Sequence, residues 1–138
     1  MSEPTSVGPQ GTAPSREVLA VSGFLPFIAR LTRCGSLLFT SGVTPRQFDT
    51  LTVPDGFDAQ CMTVFANADS LLRTAGSSFA SALSVTIYLA DMANWDAMND
   101  EYVKYIDQAA PPSRAAIEVK SLHLGYEIEV QVTAWAPQ

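Results

Sequence analysis

Histidine is nearly absent from this 138-residue chain, with His123 its single instance. A metal site of several imidazoles within one chain is thereby excluded, and a nucleophile relay through histidine is hard to build. Cysteine is almost as scarce. Cys34 and Cys61 are too few for a disulfide scaffold or a thiolate zinc site, and their apolar neighbours suggest two reduced, packed thiols. No apolar run reaches the roughly 18–20 residues that cross a bilayer. Positive charge is also short: 8 basic against 14 acidic residues leave a formal net charge of −6. Such a field repels phosphate backbones, so no nucleic acid partner is expected. The N-terminus lacks a basic-then-apolar secretory pattern, and Arg16 alone among the first sixteen residues does not make a transit peptide. A soluble, cytoplasmic protein is expected, with no membrane attachment.

What is present is a globular composition, 47% apolar and 16% charged, in a length that suits one domain. Residues 1–15 hold Pro4, Pro9, Pro14, two glycines and several Ser and Thr, and read as a flexible tail; residues 16–138 read as a single domain. Arg16–Val21 and Ile28–Arg33 are short strand candidates. A tight turn at Gly35-Ser36 leads into an apolar strand over Leu37–Ser41, and Gly42–Asp55 is a loop. From Phe57 to Ala75 the apolar residues Cys61, Val64, Phe65, Ala68, Leu71 and Leu72 recur at helical steps, with Gly76 as the stop. Ala82–Leu89 alternates as a strand. A second helix is expected over Asn94–Gln108, with Trp95, Met98, Tyr102 and Ile106 on one stripe, and strands over Arg114–Val119 and Tyr126–Trp135 close the chain. The order β-β-β-α-β-α-β-β predicts an α+β fold, a single sheet of about six strands with two helices on one face. Something else must cover the other face.

The last two strands carry the most informative alternation. Arg114, Ala116 and Glu118 share one side of the first, and Glu127, Glu129, Gln131 and Thr133 share one side of the second. If the two strands are antiparallel neighbours, one face is apolar and the other sets an arginine among carboxylates. That face is either a solvated one with ordinary ion pairs, or a pocket where a guanidinium grips a carboxylate while a glutamate handles a proton. Spacing leaves both open. His123, in the Leu122-His-Leu-Gly125 turn, reads as an exposed turn residue.

Several segments, taken in order, resemble the YjgF/RidA family of reactive-intermediate deaminases. Leu38-Phe-Thr-Ser-Gly42 is similar to its apolar strand ending in Ser-Gly. Gln60, Asn67 and Gly76 match its first helix, Val85–Met92 its following strand and turn, and Asn99-Asp-Glu-Tyr102 its Asn-x-x-Tyr. Pro112-Ser-Arg114 resembles its Pro-x-Arg signature, and Glu129 follows fifteen residues later in Glu-Ile-Glu-Val. The resemblance runs from about residue 17 to the end. It implies a chorismate-mutase-like fold and a homotrimer with polar sheet faces turned inward and active sites between subunits. The implied substrate is a small carboxylate-bearing imine or enamine, hydrolysed to a 2-oxo acid and ammonia. In that scheme Arg114 binds the carboxylate, Glu129 orients the attacking water, and Ser41, Gly42 and Asn99 shape the site. No metal or organic cofactor is called for, because the imine is already an activated electrophile.

Two positions depart from the family pattern. Ala116 stands where many of these deaminases have cysteine, and Ile28 where they have tyrosine. Both are expected to line the substrate pocket and to make it roomier and more apolar. Alternatives of other kinds stay open: a pathway deaminase of a larger, aminomuconate-like substrate, the same scaffold recruited to another reaction, or a non-catalytic trimer that binds a small carboxylate or a partner.

Overall fold

The computed structural model describes residues 15–21 and 27–137, so the tail expected over residues 1–15 lies outside the described residues except for Ser15. The elements among them are β1 (Glu17–Val18), β2 (Leu31–Cys34), β3 (Leu37–Thr40), α1 (Phe57–Arg73), β4 (Ala82–Leu89), α2 (Trp95–Tyr102), β5 (Ser113–Glu118) and β6 (Ile128–Trp135). This is the expected order of strands and helices. The second strand starts at Leu31, however, leaving Ile28 and Arg30 in the segment before it.

Helix α1 follows its apolar spacing: Cys61, Val64, Phe65, Ala68, Leu71 and Leu72 are all buried. Its end is a Schellman motif, in which Ser77 N–H donates to Leu72 O and Gly76 N–H to Arg73 O (both 3.1 Å). Gly76 takes the left-handed φ of 78° that this motif requires and that glycine adopts without penalty. Helix α2 is shorter than expected. Its periodicity continues to Ile106, but from Lys104 the amides donate to carbonyls three residues back, Lys104 to Glu101 and Tyr105 to Tyr102. This tightened turn brings the Tyr105 ring 5.8 Å from Phe65 and 5.9 Å from Phe79, so the aromatic cluster ends the helix well before Pro111.

The described strands form one six-stranded sheet in the order β1-β2-β3-β6-β4-β5. All pairings are antiparallel except β4 with β5, which is parallel with α2 in the crossover. The expectation that the last two strands are antiparallel neighbours is therefore wrong, because β4 lies between them. The register also corrects the faces. Arg114 sits opposite Val85, which sits opposite Val132, and both valines are buried. Glu129 sits opposite Tyr88, which sits opposite Ile117. Directly paired residues share a face, so Arg114, Ala116 and Glu118 lie on the helix-covered side and Glu129 and Gln131 on the open side.

The core fills the space between the helices and the covered face, with Val85, Ile87 and Leu89 of β4 and Ile128, Val130 and Val132 of β6 meeting α1, Phe79 and Met98. On the open face the polar residues Thr86, Tyr88, Glu129 and Gln131 adjoin apolar ones that stay well exposed: Phe39 at 39%, Ile117 at 45% and Trp135 at 50%. Among the described residues, no helix is long and apolar enough to cross a membrane.

Candidate active site

The site begins where β3 parts from β6. Phe39 pairs with Thr133, but the next contact is a bridge from Val43 to Val130, so four steps on one chain span three on the other. Thr40 covers the gap: its buried Oγ1 accepts a hydrogen bond from Val132 N–H at 3.0 Å. The slack residue swings Ser41-Gly42 alongside Glu129. A Cβ placed on Gly42 would stand 2.8 Å from Glu129 Oε1, so the carboxylate occupies space that only glycine leaves open.

Two α1 side chains fix the surrounding backbone. Asn67 Nδ2 donates to the carbonyls of Thr44 (3.0 Å) and Arg46 (2.8 Å), pinning the loop after Gly42. Gln60 Nε2 donates to Pro54 O, and its Oε1 accepts from Glu127 N–H at 2.9 Å, holding the entry to β6 two residues before Glu129. Gln60 and Asn67 thus act on the site through the backbone.

A cavity of about 470 Å³ opens here on the uncovered face. Its wall includes Ile28, Ser41, Gly42 and Glu129, four of the residues picked out in the sequence, together with Tyr88 and His123. Burial pushes the Glu129 carboxyl above its usual range, and the nearby His123 opposes that rise. His123 is exposed in its turn, as expected, yet it also borders the cavity.

Two cations in the wall had no sequence signal. Arg30 lies with its guanidinium carbon 3.9 Å from the Phe48 ring centroid, and burial lowers its pKa. Arg46 Nε donates to Leu51 O at 3.2 Å. Neither belongs to a periodic pattern, and only the β2–β3 pairing and the Asn67 bracket bring them to one cavity. Leu51 and Leu124 on the same wall have left-handed φ angles of 57° and 56°, a conformation that costs a leucine energy and tends to cluster at functional sites.

Arg114, Asn99 and Ala116 form a separate group. The Arg114 guanidinium carbon lies 4.7 Å from the Tyr102 ring centroid and 5.2 Å from that of Trp95. Its Nη1 donates to Asn99 Oδ1 and approaches Met98 Sδ at 3.8 Å. Ala116 packs against the core. Within one chain Arg114 and Glu129 are three residues and two strand spacings apart, about 14 Å, and on opposite faces. They cannot hold one small substrate together in a single subunit. Among the described residues Arg114 has no carboxylate partner, so its fork is not consumed by an ion pair. No group of three or more His, Cys, Asp or Glu among these residues could hold a metal ion.

Comparison with known proteins gives a consistent answer. Residues 20–136 match the family model described as "Endoribonuclease L-PSP". A RutC family protein of Aquifex aeolicus is 29% identical over 94% of both chains. A 2-iminobutanoate/2-iminopropanoate deaminase of Capra hircus is 33% identical over 59% of both. The crystal structure of a Rid-family protein of unknown function from Yersinia pestis superposes with a TM-score of 0.83 at 24% identity, covering 88% of this chain and all of that one.

Proposed function

The chain belongs to the YjgF/RidA family, and from that premise we propose that it is a hydrolytic deaminase of enamine and imine intermediates of the 2-iminopropanoate/2-aminoacrylate type. The observation that carries this reading is the partly desolvated Glu129 carboxylate facing a cavity against Gly42. The name of the goat relative supports the same reaction.

The active unit is a homotrimer that covers the open sheet face. Phe39, Ile117 and Trp135 supply the apolar area that makes this burial favourable. In the assembly Arg114 of one subunit meets the Glu129 cavity of its neighbour, which resolves the separation of about 14 Å within a chain. The guanidinium, oriented by Asn99 and the rings of Trp95 and Tyr102, grips the substrate carboxylate with its fork.

The enamine first tautomerises to the imine. Glu129 accepts a hydrogen bond from a water and takes its proton as the oxygen attacks the C=N carbon, while the nitrogen takes up the electron pair. The carbinolamine then collapses: the hydroxyl loses its proton, C=O forms, the C–N bond breaks, and nitrogen leaves as ammonia carrying the proton Glu129 held. A carboxylate raised by burial is a better base for this than an exposed one. Ser41 and Gly42 close the cavity around the reacting carbon. An RNA-cleaving reading has less behind it, since the net charge is −6 and His123 has no second histidine to share acid–base work.

The test is a coupled assay in which an amino-acid oxidase generates imines and ammonia release is followed with and without the protein. Acceleration by the wild type and its loss in Glu129→Gln are expected. Identical ammonia traces with and without wild-type protein, across short and long imines, would remove the reading.

A further inference from the structure

We propose that Arg30 and Arg46 form a second anion subsite, and that the substrate is a dicarboxylate: an imine or enamine with a further carboxylate at the end remote from the C=N bond. This rests on the reading above, in which the cavity holds the substrate and Arg114 of the adjacent subunit takes the first carboxylate.

Two of only 8 basic residues, from a chain of net charge −6, line this one cavity. They arrive by different supports. The carbonyl of Arg30 accepts from Ser41 N–H at 3.0 Å, tying it beside the Ser41-Gly42 segment. The carbonyl of Arg46 is held by Asn67, and its Nε by Leu51 O. Each guanidinium is thus carried on backbone fixed relative to Glu129.

Charge argues in the same direction. Once Arg114 has neutralised one carboxylate and Glu129 is ionised, two further cations in the wall complement a second negative charge on the ligand. Arg30 is partly desolvated, which makes a charged partner there count for more than at an open surface. The apolar side chains of Phe48, Leu51 and Leu124 border the same space and suit the methylenes that separate two carboxylates. About 470 Å³ is in the range that takes ligands well beyond the size of 2-iminopropanoate.

The experiment uses the wild-type assembly and two product analogues of similar length, 2-oxoglutarate and 2-oxohexanoate, with Kd measured by calorimetry. 2-Oxoglutarate should bind at least about tenfold more tightly, an advantage that shrinks as salt rises. Arg30→Gln and Arg46→Gln should each lower that ratio, and the double variant should bring it close to one. Turnover of glutamate- and norleucine-derived imines should follow the same order. Equal affinities in the wild type, or failure of both acids to bind, overturn the subsite. Hydrolysis of imines without a dicarboxylate preference would leave the deaminase reading standing and sink this one. A dicarboxylate preference in binding without hydrolysis of any imine would do the reverse.

Discussion

Replacing Gly42 by alanine puts a carbon 2.8 Å from Glu129 Oε1 and 2.9 Å from its Cδ, where ordinary contact begins at 3.4 Å. About 0.6 Å must be found. The backbone at Gly42 does not have a left-handed φ, so alanine strains nothing there, and the obstructing atoms are the end of a flexible side chain. The Glu129 carboxylate should therefore move and the fold should stay. Misplacing a reacting group by about 1 Å costs up to about a hundredfold, so a shift of this size should lower kcat/KM by about tenfold, or about 1.4 kcal/mol of activation free energy. Stability should scarcely change, because alanine's lower unfolded-state entropy is worth about 0.4–1 kcal/mol in its favour and offsets part of the contact. The assay is oxidase-coupled ammonia release on Gly42→Ala beside its melting temperature. In a Glu129→Ala background the same substitution should have no further effect, since the group it displaces is gone. Full activity in Gly42→Ala would show that the position of Glu129 is unimportant. A large fall in Tm would show that the backbone, not the carboxylate, yields.

Arg114→Lys should lose about a hundredfold in kcat/KM, nearly as much as Arg114→Ala, because a point charge does not reproduce the fork that Asn99 and the two rings orient; near-normal turnover in the alanine variant would make Arg114 a structural residue. Because burial raises the Glu129 pKa above 4.5 and hydrolysis needs the carboxylate, the rate should climb with pH along a limb lying above that value. His123 opposes the rise, so His123→Gln should move that limb to higher pH; a limb that stays in place refutes the electrostatic contact. A raised folded-state pKa means that ionised Glu129 opposes folding. Glu129→Gln should then melt above the wild type at neutral pH, and the gap should close as pH falls below about 4.5, as thermal scans across pH would show.

The parts of the fold that were legible in the sequence are those set by local spacing. The buried stripe of α1, the Gly76 stop and the alternation of β4 each depend on neighbours a few residues away, and the structure reproduces them. Partner choice between strands depends on the whole chain. β6 enters between β3 and β4 because β4 and β5 pair in parallel through a crossover, and nothing in the alternation of either strand signals that. That one difference moved Arg114, Ala116 and Glu118 to the covered face and separated Arg114 from Glu129. Helix α2 ended early for a tertiary reason too, the packing of Tyr105 on Phe65 and Phe79. At the site, Ser41-Gly42 and Glu129 were found by resemblance and do converge, through an extra residue opposite β6. Arg30 and Arg46 were missed because an arginine before a short strand and another in a loop look like ordinary surface residues. Only their shared cavity distinguishes them.

The central claim, that one active site takes Arg114 from one subunit and Glu129 from the next, is tested most directly by complementation. Arg114→Ala and Glu129→Gln are each purified, shown to be inactive, then unfolded together in equal amounts and refolded. In randomly mixed trimers about one site in four pairs an intact Arg114 with a neighbour's intact Glu129, so about a quarter of wild-type deaminase activity should return. A mixture confirmed to contain hybrid trimers yet as inactive as its parents would contradict the account.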